Sequence, residues 1–337
     1  MVKHILVTGA SSGIGLALCK LLIRDHSCYV YLGSRNVAKG ESAKKTILEE
    51  VPDKSDMIEV VQIDVGNDFS VKAAAKALRD RGNWLKFYTM QSVIVLLKEK
   101  FICTYRFSSI FLLYEFLMLL KYFWTLLGIR LYALVNNAGI AGSGADVTDL
   151  MMNTNYEGPK RVTDAFVGLI DPKEGRVVNT SSGAASWWLC NQDANTKEVY
   201  TNPNISWEVL DAIIQADVAA KNFGKDEFFS SAYGLSKAAL CALTLVQAKK
   251  FPNLKVTSLS PGFVDTPLVA GFNSTSKITP EKGCTSSLKC LFEHVISGAY
   301  YGSDGLRSPM TVGRDPGTPE YQGEANPDPA KYTRWKW

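Results

Sequence analysis

The sequence predicts an α/β protein: a doubly wound, mostly parallel sheet of about seven strands with helices on both faces. Three observations point there. Short apolar runs recur without strict alternation, as in strands buried on both faces of a parallel sheet. Longer segments between them carry apolar residues at three-to-four spacing, the pattern of an amphipathic helix. A glycine-rich turn joins the first run to the first such segment.

Taken in order, the strands are expected at 4–9 (HILVTG), 29–33 (YVYLG), 59–63 (EVVQI), 131–136 (LYALVN), 176–180 (RVVNT) and 255–260 (KVTSLS), with a weaker one at 298–302 (GAYYG). Helical patterns fill 13–25, 38–50, 70–82, 150–170 and 230–250. Strand–helix repetition with right-handed crossovers gives an open sheet of the Rossmann type. There is no internal repeat.

A chain of 337 residues suits one large domain spanning 1–337 with insertions. Its hydrophobic share of 46% and charged share of 21% are globular values that allow a full core. The net charge of +4 is not gathered into a stripe, so a nucleic-acid partner is not expected. The seven cysteines include no C-x-x-C pair, and there are only three histidines, so no metal site is expected. Reduced thiols in a cytoplasmic protein are the expectation. The segment MVKHILVTGA enters a strand pattern directly and does not read as a secretion signal.

Three segments break the rhythm. Residues 83–130 hold twelve of the 36 aromatic residues and no Ala, Pro or Asp. Residues 187–229 form a mixed, partly helical insertion. The stretch 302–337 is rich in Gly and Pro and is expected to lie extended over the surface.

The turn TGASSGIG (8–15) lies between the first strand and the first helix. There Gly9 permits the tight turn, Gly13 lets backbone approach a pyrophosphate, and Gly15 lets the helix pack closely. With Ser11, Ser12 and Ile14 they turn the helix N-terminus, with its free N–H groups, toward phosphate. At the end of the second strand a site selective for NAD places an acid to hold the ribose 2′-hydroxyl. This chain has Ser34, Arg35 and Asn36 there instead. A guanidinium pairs with a 2′-phosphate, so NADP(H) is the expected cofactor. Asp64 and Val65 end the third strand, where they meet the adenine edge.

In SSAYGLSKAAL (230–240), Tyr233 and Lys237 stand four apart and share a helix face. A phenol titrates near ~10 and transfers protons poorly at neutral pH; a neighbouring ammonium favours the phenolate. That pairing gives a general acid. Ser181 and Ser182 follow the fifth strand, NNAG (136–139) ends the fourth, NTNYEG (153–158) carries Asn155, and SPGFVDTP (260–267) follows the sixth. All fall at carboxyl ends of strands or on flanking helices, where ligands of such sheets bind.

This set of motifs resembles the short-chain dehydrogenase/reductase family over nearly the whole chain apart from 83–130. Within it the chain looks most like the NADPH-dependent carbonyl reductases. The evidence is Arg35, GRVVNTSS, and the 51 residues from Ser182 to Tyr233, where usual members have about a dozen. The resemblance implies reduction of a ketone, aldehyde or quinone. Tyr233 gives the proton, Lys237 lowers its pKa and holds the nicotinamide ribose, and Ser182 orients the carbonyl. Asn155 holds the helix and a water. Asn137 touches the ribose; Val264 and Thr266 meet the nicotinamide carboxamide. It also implies a monomer, because the insertion covers the helix face otherwise used for assembly. Trp187, beside Trp188, and Phe263 are expected to wall an apolar substrate pocket. A catalytically silent NADP(H)-binding sensor or scaffold is the alternative from another class.

Three readings stand for 83–130, which interrupts a join between KALRDRG and LYALVNNAG that the family makes in a few residues. Residues 107–128 are long enough to anchor a membrane-tethered reductase, but Glu115 and Lys121 are costly within a span. A genuine helical lobe would expose much aromatic surface. A translated intron fits the Phe-, Tyr-, Leu-, Ile- and Lys-rich, Ala-free composition and the abrupt borders. If the intron reading holds, transcripts aligned to the genome will splice 83–130 out; reads that carry it as coding sequence would sink the idea.

Overall fold

The computed structural model describes residues 2–81, 130–142, 145–223, 232–270 and 276–333. The single domain expected over 1–337 divides into two compact units. One is Met1–Val71 with Leu131–Trp337, and the other is Lys72–Arg130. In the second unit residues 72–81 are helical, and 82–129 lie outside the described residues, as do the expectations placed on 107–128. Among the described residues no helix is long and apolar enough to cross a membrane. Every candidate site residue belongs to the first unit.

The amino-terminal half of that unit alternates β1 (His4–Val7), α1 (Gly13–Arg24), β2 (Tyr29–Ser34), α2 (Val37–Glu50), β3 (Ile58–Gln62) and β4 (Leu131–Asn136). Then come α3 (Ala145–Met152), a π-helical turn (Asn153–Glu157), α4 (Gly158–Phe166) and β5 (Arg176–Thr180). Next, α5 (Gly183–Cys190) leads into the insertion, which supplies α6 (Ala194–Thr201) and α7 (Trp207–Ala219) and is followed by the long α8 (Ala232–Lys250). The chain closes with β6 (Lys255–Leu259), α9 (Pro280–Gly283), α10 (Thr285–Phe292), β7 (Tyr300–Tyr301), β8 (Arg307–Ser308) and α11 (Pro329–Tyr332).

The sheet runs β3-β2-β1-β4-β5-β6-β7-β8. Every pairing is parallel except β7 with β8. Strand order reverses between β1 and β4, which opens a crevice at their carboxyl ends. The central strands are buried on both faces, so their apolar runs need no alternation. One layer packs α1, α2 and α10 on the sheet through Leu18, Leu22, Ile47 and Leu291. The other packs α5 to α8 together through Trp188, Tyr200, Leu210, Ile214, Leu235 and Leu243. The insertion thus lies on α8, and Tyr156 stacks on Trp207 with centroids 5.3 Å apart. Side-chain caps set its helix starts: Asp193 accepts from the Thr196 N–H and Ser206 from the Val209 N–H.

The doubly wound order is the expected one, and two details differ. The helix expected over 150–170 is broken, because the turn at Asn153–Glu157 takes one residue more than an α-turn. The sheet holds eight strands where about seven were expected. The eighth comes from the stretch expected to lie extended, which instead folds back. The Arg314 guanidinium is buried there, paired with Asp304 and donating to Ser308 Oγ (2.9 Å) and the Thr318 carbonyl (2.9 Å). Tyr332 is fully buried and stands edge-on to Tyr321. Single anchors of this kind leave no periodic trace in a sequence.

Candidate active site

The crevice is built by a clasp between the β1 and β4 exits. Thr8 Oγ1 accepts from the Asn137 N–H (3.0 Å) and the Ala138 N–H (3.1 Å). Asn137 Nδ2 donates back to the Thr8 carbonyl (3.0 Å) and the Gly9 carbonyl (3.3 Å). Gly9 has φ +64°, and a Cβ on it would lie 2.7 Å from Ala138 Cα. A Cβ on Gly15 would lie 2.5 Å from Asn137 Nδ2 and 2.6 Å from the Gly9 carbonyl oxygen. Larger residues would force the clasp open.

At the start of α1, Ser12 is the N-cap residue, yet its side chain makes no capping bond, and the first turn carries no acid. The first N–H groups of the helix therefore face the crevice uncompensated, an arrangement suited to phosphate. A cavity of about 530 Å³ lies against them. Gly9, Ser11, Ser12, Gly13, Ile14 and Gly15 line it on one side, with Asn137 and Thr266. Arg35, Asp64 and Val65 line it toward β2 and β3. An adjoining hollow of about 620 Å³ is lined by Ser11, Ser12, Arg35, Asn36 and Lys39. Lys39 was not among the residues expected here, although its place one turn along from Arg35 was there to be read. Two cations beside several hydroxyls, with no acid in the lining, fit a phosphomonoester. The chain's own residues therefore fit NADP(H).

The catalytic candidates gather beyond Gly139, which also lines the cavity of about 530 Å³. A Cβ on Gly139 would lie 3.2 Å from Lys237 Nζ and 3.4 Å from Asn155 Oδ1. Tyr233 and Lys237 are buried on the first turns of α8. Lys237 Nζ donates to the Thr180 carbonyl (2.9 Å) and lies 5.7 Å from the Tyr233 ring centroid. Ser182 is the N-cap of α5, its Oγ accepting from the Ala184 N–H (3.2 Å). Asn155 sits fully buried in the π-turn. Its Oδ1 accepts from the Ile140 N–H (2.9 Å), while Nδ2 donates to the Ile140 carbonyl (2.9 Å) and to Ser236 Oγ (3.0 Å). The turn holding Asn155 is thereby pinned to both the NNAG segment and α8.

The electrostatics differ from the expectation that Lys237 lowers the pKa of Tyr233. Burial pushes the Tyr233 phenol up, and among the described residues Ser182 draws it down through a hydrogen bond. Burial also brings the Lys237 ammonium down to about 8. The physical reason is enclosure: both groups are cut off from water, which penalises each charged form.

Two supporting contacts were not legible in the sequence. Ser181 Oγ donates to the Lys237 carbonyl (2.9 Å), fixing the helix backbone at that residue. Tyr300 Oη, on β7, donates to the Ser182 carbonyl (3.0 Å). The first depends on α8 packing against the exit of β5 and the second on the strand order β5-β6-β7, bringing together residues 56 and 118 positions apart.

Three candidates lie apart. Trp187 lines a separate hollow of about 740 Å³ with Cys190, Lys197 and the 311–313 segment. The α5 residue that packs beside Tyr233 is Ala184. Trp188 is core, tilted on Tyr200 with centroids 5.1 Å apart. Val264 turns its side chain onto Gly283 rather than into the cavity. Phe263 is half-buried, and its carbonyl accepts from the Ile278 N–H (2.9 Å).

Comparison with known proteins agrees with this geometry. Residues 3–86 match the short chain dehydrogenase family profile. The (+)-neomenthol dehydrogenase of Arabidopsis thaliana is 26% identical over 320 residues, covering 85% of this chain and 90% of that protein. Carbonyl reductase (NADPH) 1 of Homo sapiens is 28% identical over 293 residues, 82% of this chain and 86% of that one. Among solved structures, salutaridine reductase from Papaver somniferum superposes with a TM-score of 0.62 at 21% identity, covering 89% of this chain and 99% of that one. NADPH-bound carbonyl reductase from chicken fatty liver gives 0.58 at 22% identity, with 91% and 98% covered, and shares the fold. Profile, relatives and fold point the same way: the chain is similar to short-chain dehydrogenases over residues 3–86, to reductases and dehydrogenases of that kind over most of its length, and to their solved structures in fold.

Proposed function

We propose that this chain is an NADPH-dependent carbonyl reductase, turning a ketone, aldehyde or quinone into the alcohol. The observation that carries the reading is the meeting of Tyr233, Lys237 and Ser182 beyond Gly139, with Arg35 and Lys39 at the far side of the same crevice. NADPH, when bound, supplies a hydride to the carbonyl carbon.

The chain's own part is binding, orientation and proton supply. Arg35 and Lys39 hold the 2′-phosphate, the α1 N-terminus holds the pyrophosphate, and Asp64 and Val65 border the adenine. Thr266 and Asn137 border the nicotinamide half. Ser182 Oγ donates to the substrate carbonyl oxygen and orients it. Tyr233 Oη gives that oxygen its proton as negative charge develops there. Lys237 binds the ribose hydroxyls, and Asn155 keeps the adjoining backbone in place. Apolar side chains around Tyr233, among them Ile140, Met151 and Ala184, favour a hydrophobic substrate. The insertion helices lying on α8 support a monomer. The six cysteines among the described residues, free and mostly buried, support a cytoplasmic setting.

Tyr233→Phe is expected to cut NADPH oxidation with a carbonyl panel by at least ~100-fold. NADPH binding, followed by fluorescence, should stay close to wild type. A wild-type protein that binds NADPH and reduces nothing in the panel would turn the reading to a silent sensor. Replacing Arg35 and Lys39 together with serine should raise the KM for NADPH by roughly 10- to 100-fold and leave the KM for NADH nearly unchanged.

Lys237 also makes stability depend on pH. The folded protein loses this proton near pH 8, and the unfolded chain near the ordinary 10.5. Between those values unfolding takes up a proton, so the lysine's contribution to stability rises with pH and is smallest below pH 8. Wild type should therefore gain on Lys237→Met by on the order of 3 kcal/mol between pH 8 and 10.5 in denaturant titrations. A flat difference would contradict the buried-ammonium assignment.

A further inference from the structure

Arg161 lies on α4, outside the cavity, with its guanidinium turned under the loop that leaves β3. Its Nη1 donates to the Val65 carbonyl at 2.6 Å and its Nη2 to Asn153 Oδ1 at 3.0 Å. Asn153 Nδ2 in turn donates to the Gly66 carbonyl at 3.1 Å. Two successive carbonyls of an irregular loop are thus held, one directly and one through an amide. The remaining contacts are ion pairs with Asp68 and, at 3.5 Å, with Glu157. Both acids are substantially exposed, and such pairs contribute little.

We propose that Arg161 is a positioning residue for the adenine half of the nucleotide cavity. Asp64 and Val65 line that half, and neither belongs to a strand or a helix. Asp64 is turned inward on its own loop, its Oδ1 accepting from the Gly66 N–H at 3.0 Å. On the far side Val65 rests against Gly158, where a Cβ would lie 3.2 Å from Val65 Cγ2. The loop has the guanidinium as its hold from below. A planar guanidinium carries its donors on separate nitrogens in a fixed fork, which matches a carbonyl and an amide oxygen set apart; an ammonium on a flexible stem is a single point with no such fixed geometry.

The π-turn divides the labour. Asn153 faces the β3 loop, Thr154 lines the cavity, and Asn155 faces Ile140 and Ser236. Arg161 grips the Asn153 side, so its loss should loosen adenine binding and spare proton transfer at Tyr233.

The inference rests on the NADP(H) reading, and its test separates the two. Calorimetry with 2′,5′-ADP reports the adenine half alone; no binding by wild type would defeat the cofactor reading itself. Given wild-type binding, Arg161→Met should weaken 2′,5′-ADP about tenfold. It should raise the KM for NADPH similarly and leave kcat at saturating NADPH within about twofold. Arg161→Lys should recover part of the affinity, and Asp68→Asn should change it less than about twofold, because the carbonyl contact survives. Wild-type affinity in Arg161→Met would overturn the proposal. So would a parallel fall of kcat and affinity tracking a lost thermal transition, with no recovery in Arg161→Lys.

Discussion

The hydrogen-bonded clasp between Thr8 and Asn137 is the contact on which the rest of the site depends. It joins the exits of two neighbouring parallel strands at the point where strand order reverses. The glycine loop takes its shape from this clasp, since Gly9 abuts Ala138 and Gly15 abuts Asn137. The next residues carry the register onward. Gly139 backs onto Lys237 and Asn155, and Ile140 is held by both ends of the Asn155 amide. Four consecutive residues therefore relate the proposed nucleotide cradle to the proposed proton-transfer groups.

A second layer of polar contacts fixes α8 to the sheet beneath it. Asn136 donates to Asn179 (2.8 Å) and Thr163 (3.1 Å), and Asn179 donates to Thr244 (2.9 Å) and Gln247 (3.0 Å). All of these side chains are buried. Each bond forms where water is excluded, so slippage of α8 by one residue would strand several polar groups at once. Apolar packing alone tolerates small shifts; such a chain tolerates few. Ser181, bonded to the Lys237 carbonyl, adds the same constraint next to the reacting groups.

Much of this was legible in the sequence, because the strands are apolar runs and the glycine turn stands between the first strand and helix. Tyr233 and Lys237 stood out because their four-residue spacing comes with NNAG, Asn155 and Ser182, and Arg35 because no acid stands at the end of β2. What burial does to them was not readable: enclosure raises one pKa and lowers the other, and enclosure belongs to the whole fold. The π-turn hid inside a helical pattern, because one added residue hardly disturbs apolar spacing over so short a stretch. Trp187 looked like a pocket wall because it follows Ser182 closely, yet helix geometry turns it to another hollow and brings Ala184 beside Tyr233. Tyr300 reaches Ser182 only through strand order, which no local pattern encodes.

The clasp also has a temporal side. Thr8 and Val135 are 127 positions apart, so the cradle for the nucleotide waits for nearly 140 residues to leave the ribosome. Residues 83–130 put 48 further positions of synthesis between β3 and β4, so the proposed nucleotide cradle closes that much later in the life of the nascent chain.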